Sequence, residues 1–99
     1  MEKPNILSAG QIQTELKTLP GWNYANEKIS KEFSFNDFLD ALGFINKLAP
    51  YFEEMDHHPD MHIMYSKAMF ELQRFDIGGK VTDRDITVAR KIEAEYDSR

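Results

Sequence analysis

All three histidines of the chain lie in one ten-residue stretch, EEMDHHPDMH, which runs from Glu53 to His62. The stretch also holds four acidic residues and no lysine or arginine. Imidazole is the side chain that most readily both donates and accepts a proton near neutral pH. Two adjacent histidines, His57 and His58, could therefore act together on a small molecule, one as an acid and the other as a base. The pattern predicts acid/base chemistry without a nucleophile.

Glu53 lies four residues before His57, a spacing that places two side chains on one face of a helix. A carboxylate in that position could fix the orientation and tautomer of the imidazole. A second interpretation needs no chemistry at all. The two histidines could simply cap the end of a helix, with their rings near its last carbonyl groups.

A metal site is a third interpretation. His57, His58 and His62, with Asp56 or Asp60, supply atoms that zinc or iron would accept. The spacing argues against it, because Pro59 interrupts the helix that would align His58 with His62. We therefore predict no metal ligand in this stretch.

The elements that must position these residues follow from periodicity and turn signals. Ser8 is placed to cap a first helix with apolar positions Ile12, Leu16 and Leu19, which Pro20-Gly21 ends. Two short strands, WNYA and KISKEF, follow around a turn at Asn26-Glu27.

A second helix should begin at about Asn36 or Asp37 and carry one broad apolar face. Pro50 is expected to kink or restart it, because proline lacks the backbone donor and crowds the preceding turn. Pro59 disfavours helical geometry at His58, so the helix should end at or just before His57.

The remainder predicts a second pair of strands and a last helix. The strands are expected at about Met61–Tyr65 and from Ala68 to about Phe75, with a turn at Ser66-Lys67 between them and a loop at Asp76–Lys80 after them. Thr82 with Asp85 resembles a capping box that opens a helix reaching about Tyr96. The order α-β-β-α-β-β-α predicts an α+β two-layer sandwich, a four-stranded antiparallel sheet with three helices on one face. Open strand edges make self-association by strand pairing plausible.

Length and composition limit the class of protein. Ninety-nine residues suit a single domain, residues 1–99. A net charge of −5 with scattered cations argues against nucleic acid as the main ligand. The absence of cysteine excludes thiolate catalysis and fits a cytoplasmic protein. No segment predicts a signal peptide or a membrane span.

These residues together resemble the pterin-4a-carbinolamine dehydratase family over nearly the whole chain. The most specific part is Glu53-x3-His57-His58-Pro59-x5-Tyr65, supported by Gly78-Gly79 and by Thr82-Asp83-Arg84-Asp85. Gly21-Trp22, Phe35-x-x-Phe38 and Gly43-Phe44-Ile45 are also similar to that family.

The resemblance implies a function and a set of site residues. Such proteins eliminate water from 4a-hydroxytetrahydropterin to give quinonoid dihydropterin in pterin recycling, without a cofactor or metal, and assemble as homodimers or homotetramers. It implies that His57 and His58 are catalytic, that Glu53 and Asp85 support them, and that the pterin is contacted by Asp56, Gln73, Arg74, Phe75 and Asp76.

One position departs from the family. Nine residues separate Tyr65 from Phe75, which stands where such proteins usually carry a third histidine and cannot transfer a proton. His62 could replace that histidine only if its strand turns it inward.

The departure supports an alternative function, a weakened or inactive pterin-binding or oligomerising module with a protein partner. Some proteins of this family bind a transcription factor through a helical surface. The corresponding residues here would be Phe44, Ile45, Leu48 and Tyr51, although core packing explains them more simply. Met55, Met61, Met64 and Met69 could line an adaptable interface, although we expect them to fill the core.

Overall fold

A computed structural model describes residues 5–73 and 80–99 of the chain. Within those residues three helices and four strands follow the predicted order. They are α1 (Ala9–Leu16), β1 (Asn23–Ala25), β2 (Lys28–Ser34), α2 (Phe38–Met55), β3 (Asp60–Met64), β4 (Lys67–Leu72) and α3 (Asp83–Asp97).

The four strands of the described residues form one antiparallel sheet in the order β1-β2-β4-β3. The long central pair β2 and β4 joins the two hairpins, and β1 and β3 form the edges. The α+β sandwich predicted from the sequence is confirmed.

One face of this sheet carries the core. Along β2 and β4 the buried residues alternate with more exposed ones, as expected for a sheet covered on one side. Phe33 and Phe70 are almost fully buried there and meet edge to face, with ring centroids 5.8 Å apart. Phe44 from α2 packs on both rings, so the helix that carries the histidines at its end is fixed to the sheet.

Local sequence signals located most element ends correctly. Ser8 caps α1, Asp37 caps α2, and the first hairpin turns at Asn26 and Glu27, both with positive φ. α2 ends at Met55, as Pro59 predicts.

The expectation that α2 restarts at Pro50 is wrong. A single helix runs from Phe38 to Met55 with Pro50 inside it. Buried residues on both sides of the proline, Leu48 and Phe52 among them, hold the two halves against the same core. Tertiary packing thus outweighs the missing backbone donor.

The second hairpin lies one residue earlier than predicted. Its turn is at Tyr65 and Ser66, and Tyr65 has a φ of 51°. The turn could not be predicted at Tyr65, because left-handed positions usually carry Gly, Asn or Asp rather than tyrosine. β4 ends at Leu72; the predicted strand end at Phe75 and the loop Asp76–Gly79 lie outside the described residues.

The strand β3 is exposed at every position. Met61 and Ile63, both about 40% exposed, share the helix-side face with Phe70 and Ala68, their partners on β4. The expectation that the methionines fill the core is wrong, because Met61 and Met64 are exposed and Met55 and Met69 are only half-buried.

The helix surface considered for a protein partner is mostly core. Phe44, Ile45 and Leu48 are buried and Tyr51 is half-buried. The large apolar residues of α2 that are exposed are instead Phe38 and Leu39, at its N-terminal end.

In the part of the chain that the structure describes, no helix combines the length and apolar character needed to cross a bilayer.

Candidate active site

The end of α2 sets the position of the two adjacent histidines. Asp56 takes a left-handed conformation (φ 49°, ψ 45°), and the backbone N–H of His57 donates to the carbonyl of Phe52 at 3.1 Å. This six-to-one bond after a left-handed residue is a Schellman-type helix end. It turns the chain sharply, so that consecutive imidazoles enter different surroundings.

His57 is directed into the protein. Its side chain is only 3% exposed, and Nε2 is hydrogen-bonded to Oδ1 of Asp85, which is fully buried. The two residues are 28 positions apart in sequence. The bond therefore joins the C-terminal end of α2 to the first turn of α3.

Asp85 has its other oxygen occupied by the start of its own helix. Oδ2 accepts from the backbone N–H of Thr82 at 2.7 Å and from the Thr82 hydroxyl at 3.1 Å. The predicted capping box is confirmed, and its acid also holds His57. A buried carboxylate needs such partners, because an unpaired one would be strongly disfavoured.

His58 is directed outward. Its ring is 53% exposed and lies with Nε2 2.5 Å from Oε1 of Glu53, itself 77% exposed. The expectation that Glu53 would orient His57 is thus wrong, because α2 ends before His57 and the i,i+4 geometry does not extend that far.

The interpretation of the histidines as helix caps does not match these contacts. The Nε2 atom of each ring meets a carboxylate, whereas backbone N–H groups of Asp56 and His57 bond to the last turn. The carbonyl of Met55 accepts from Nη1 of Arg84 at 3.2 Å, a second link between α2 and α3.

The predicted pterin contacts are described only in part. Asp56 is exposed, and in the described residues its carboxylate makes no hydrogen bond or ion pair. Gln73 is half-buried and follows β4 at the end of the hairpin where His58 precedes β3. Arg74, Phe75 and Asp76 lie outside the described residues.

His62 does not belong to this group. It lies opposite Met69 on the face of the sheet away from the helices, and its Nε2 is 2.9 Å from Oε1 of Glu71. The same carboxylate lies 2.7 Å from Nζ of Lys28 on β2. The hydrogen bond from Lys28, and after it the one from His62, lowers the pKa of the Glu71 carboxyl. The idea that His62 turns inward to replace the missing third histidine is therefore wrong.

Two cavities lie away from the histidines, beside Leu7 and Glu15. One of about 240 Å³ lies between α1 and the start of α3, and one of about 390 Å³ lies along α1. No group of three or more histidine or acidic side chains within the described residues is placed to hold a metal ion.

The arrangement thus consists of two carboxylate–imidazole pairs at consecutive residues, one buried and one exposed. Sequence reasoning identified all four residues but not which acid meets which ring. No local signal could have paired His57 with Asp85, because the contact depends on how α3 packs beside α2.

Comparisons with known proteins find similarity over most of the chain. The family profile described as Pterin 4 alpha carbinolamine dehydratase matches residues 5–95. A protein of Sulfolobus acidocaldarius, provisionally named a pterin-4-alpha-carbinolamine dehydratase, is 38% identical over 86 residues, 87% of this chain and 93% of the relative. One of Sulfurisphaera tokodaii with the same provisional name is 40% identical over 87 residues, 88% of this chain and 92% of the relative.

A solved structure is similar as well. The crystal structure of a transcriptional coactivator/pterin dehydratase from Brucella melitensis superposes with a TM-score of 0.85 at 35% identity, covering 92% of this chain and 98% of that one.

Proposed function

Because the chain belongs to the pterin-4a-carbinolamine dehydratase family, we propose that it removes water from 4a-hydroxytetrahydropterin and releases quinonoid dihydropterin, as a step of pterin recycling. The observation that carries the proposal is the pair of adjacent imidazoles, each bonded to its own carboxylate. His57 and His58 are the proposed proton-transfer groups. The proposal needs no metal and no organic cofactor.

The reaction requires two proton transfers. A base removes the proton from N5 of the pterin while the C4a–O bond breaks and the N5=C4a double bond forms. An acid gives a proton to the departing hydroxyl, which leaves as water. Two imidazoles in opposite protonation states supply both transfers, and each is worth about 10²–10⁴-fold in rate. Asp56, Gln73, Arg74, Phe75 and Asp76 are the proposed contacts to the pterin ring.

The direct test is the rate at which freshly generated carbinolamine disappears. The wild-type protein should accelerate the loss over buffer, and His58→Ala should lower the acceleration by at least about 10²-fold. His62→Ala is the matched control, since it removes an exposed imidazole from the outer face of the sheet and should leave the rate unchanged. Equal rates for wild type and buffer would refute the enzymatic proposal.

A second candidate function is a pterin-binding module with a protein partner. Phe75 in place of the family's third histidine favours it, as does the description of the Brucella relative as a coactivator. Calorimetry with a stable dihydropterin separates the candidates. Heat of binding without acceleration of the reaction would select the binding module, and binding with acceleration would select the enzyme.

We further propose that the protein acts in the cytoplasm as a homo-oligomer. The exposed strand β3, with Met61, Ile63 and Met64 accessible, offers an unpaired edge to a second copy. The absence of cysteine fits a reducing compartment.

A further inference from the structure

Three aromatic rings meet at the N-terminal end of α2, away from the histidines. The ring centroids of Phe35, Phe44 and Tyr96 lie 5.2, 5.7 and 5.8 Å from one another. Asp40, in the first turn of α2, lies beside them, and together they form an aromatic cage. At about 1.5 Å per residue, the helix separates this cage from the histidines by about 20 Å.

The guanidinium of Arg99 fills the aromatic cage. Its Nη2 donates to Oδ2 of Asp40 at 2.6 Å. Its central carbon lies 4.8 Å from the ring centroid of Phe35, 5.2 Å from that of Tyr96 and 6.0 Å from that of Phe44. Rings and a carboxylate together attract a guanidinium, because the flat cation stacks on the rings while its N–H groups bond to the acid. Arg99 is thus held as a separate ligand would be.

The walls of the cage are fixed by bonds that do not involve this arginine. Oδ2 of Asp40 also accepts from the backbone N–H of Asn36 at 3.0 Å. That bond is the largest cause of the lowered pKa of the Asp40 carboxyl. The Tyr96 hydroxyl donates to the backbone carbonyl of Ser34 at 2.7 Å. The acid therefore stays ionised and the tyrosine ring stays in place when the arginine leaves.

Arg99 itself is held mainly by its side chain. It follows Ser98, the C-cap of α3, and its backbone N–H makes a long bond of 3.4 Å to the carbonyl of Tyr96. Helix ends fray, and the Arg99 side chain is 30% exposed. Arg99 can therefore swing out and open the cage to another cation.

We propose that the aromatic cage binds the guanidinium of an arginine in another polypeptide, and that Arg99 occupies it as a tethered competitor. A guanidinium is favoured over an ammonium because it is planar and more weakly hydrated. Phe38 and Leu39 directly precede Asp40 and are exposed, so they offer apolar surface to the residues that flank the arriving arginine. The net charge of −5 favours the approach of a basic segment. The proposal does not depend on the proposed dehydratase activity.

The test uses a capped alanine-arginine-alanine tripeptide, titrated into the protein and followed by NMR. Arg99→Ala empties the cage. Arg90→Ala is the matched control, because it removes an ion pair of the same length, 2.6 Å to Glu15, and leaves the cage filled. In Arg99→Ala the ring signals of Phe35 and Tyr96 should shift saturably. The affinity should be about tenfold higher than in the wild type or Arg90→Ala, because a tethered group competes at a millimolar effective concentration.

Further comparisons test the chemistry of the cage. Asp40→Asn in the Arg99→Ala background keeps an oxygen for the N–H of Asn36 but removes the charge, and should weaken binding at least about tenfold. The tripeptide with lysine in place of arginine should also bind at least about tenfold more weakly. Free L-arginine should bind more weakly than the tripeptide, because its own carboxylate is repelled by Asp40.

The proposal is overturned if the tripeptide leaves the Arg99→Ala spectrum unchanged or binds the wild type as tightly. Equal affinity for the lysine tripeptide, or for free L-arginine, would overturn the assignment to a polypeptide arginine.

The wild type decides the matter if Arg99→Ala does not fold. Excess arginine tripeptide, but not the lysine one, should move the Nε–H signal of Arg99 to that of a solvated arginine, and an unmoved signal would overturn the proposal. None of these measurements uses the carbinolamine reaction, so a failure of the proposed function would not affect them.

Discussion

Asp56 occupies a backbone conformation that most residues avoid. Its φ of 49° lies in the left-handed region, where an L side chain costs about 1–2 kcal/mol and glycine costs little. Glycine is the usual residue at such a helix end. An exposed aspartate without partners in the described structure suggests that stability has been given up for contact with a ligand.

We expect Asp56→Gly to raise the free energy of unfolding by about 0.5–1 kcal/mol, since relief of the left-handed strain exceeds the extra entropy of glycine in the unfolded chain. Chemical denaturation measures this change. The same variant should bind a dihydropterin more weakly. Asp56→Asn, which tolerates the conformation but removes the charge, should change stability by less than about 0.5 kcal/mol. A loss of stability in Asp56→Gly would contradict the account.

At this scale the sequence singled out the four residues that form the two pairs, but not how they pair. His57, His58, Glu53 and Asp85 all belong to patterns visible in the chain. Their partners depend on where α2 stops: one residue of left-handed backbone at Asp56 sends His57 inward to Asp85 and leaves His58 to Glu53.

At the scale of elements, Glu71 ties three strands together on the outer face of the sheet. Its carboxylate meets Lys28 of β2 at 2.7 Å and His62 of β3 at 2.9 Å. The hydrogen bond from Lys28 is the main cause of the lowered pKa of Glu71, with His62 next. The folded state therefore prefers the ionised form.

A group with a lowered folded pKa stabilises the protein above its unfolded pKa, here about 4.5, and loses that contribution as the pH falls through the folded value. We expect the free energy of unfolding of Glu71→Gln to be lower than that of the wild type by about 0.2–1 kcal/mol at pH 7. This gap between the two proteins should close in acid, below about pH 4.5. Unfolding curves at several pH values measure the gap. Glu32 lies 3.7 Å from its partner Lys67, so Glu32→Gln should lose less stability at pH 7 than Glu71→Gln. A gap that is constant with pH would contradict the assignment.

Element types followed from the sequence better than element ends did. The helix caps at Ser8 and Thr82 were visible because capping residues act locally. The uninterrupted α2 and the turn at Tyr65 were not, because the packing of a whole helix and of a hairpin decided them against the local preference of Pro50 and Tyr65.

For the whole molecule, the open question is what covers β3. The strand DMHIM contains none of the lysine or proline residues that usually protect an edge, and the opposite edge, β1, is only three residues long. The proposed homo-oligomer would pair β3 with its copy and cover Ile63.

We expect Ile63→Lys to weaken self-association by at least about tenfold, because the interface would have to bury an unpaired charge. Analytical ultracentrifugation over a range of concentrations measures the change. Leu39→Lys places the same charge on an even more exposed apolar residue of α2 and should leave the assembly intact. A monomeric wild type, or dissociation by Leu39→Lys alone, would contradict an interface at β3.

The bond between His57 and Asp85 also bears on when a newly made chain becomes competent. A ribosome that has just completed the HHP motif has produced both imidazoles but not the acid that fixes one of them. Until translation has passed residue 85 and the last helix has docked, His57 lacks the carboxylate that it meets in the folded protein. Fragments that end before that point would lack the fixed imidazole, so the proposed dehydratase activity would begin only when the whole domain has folded.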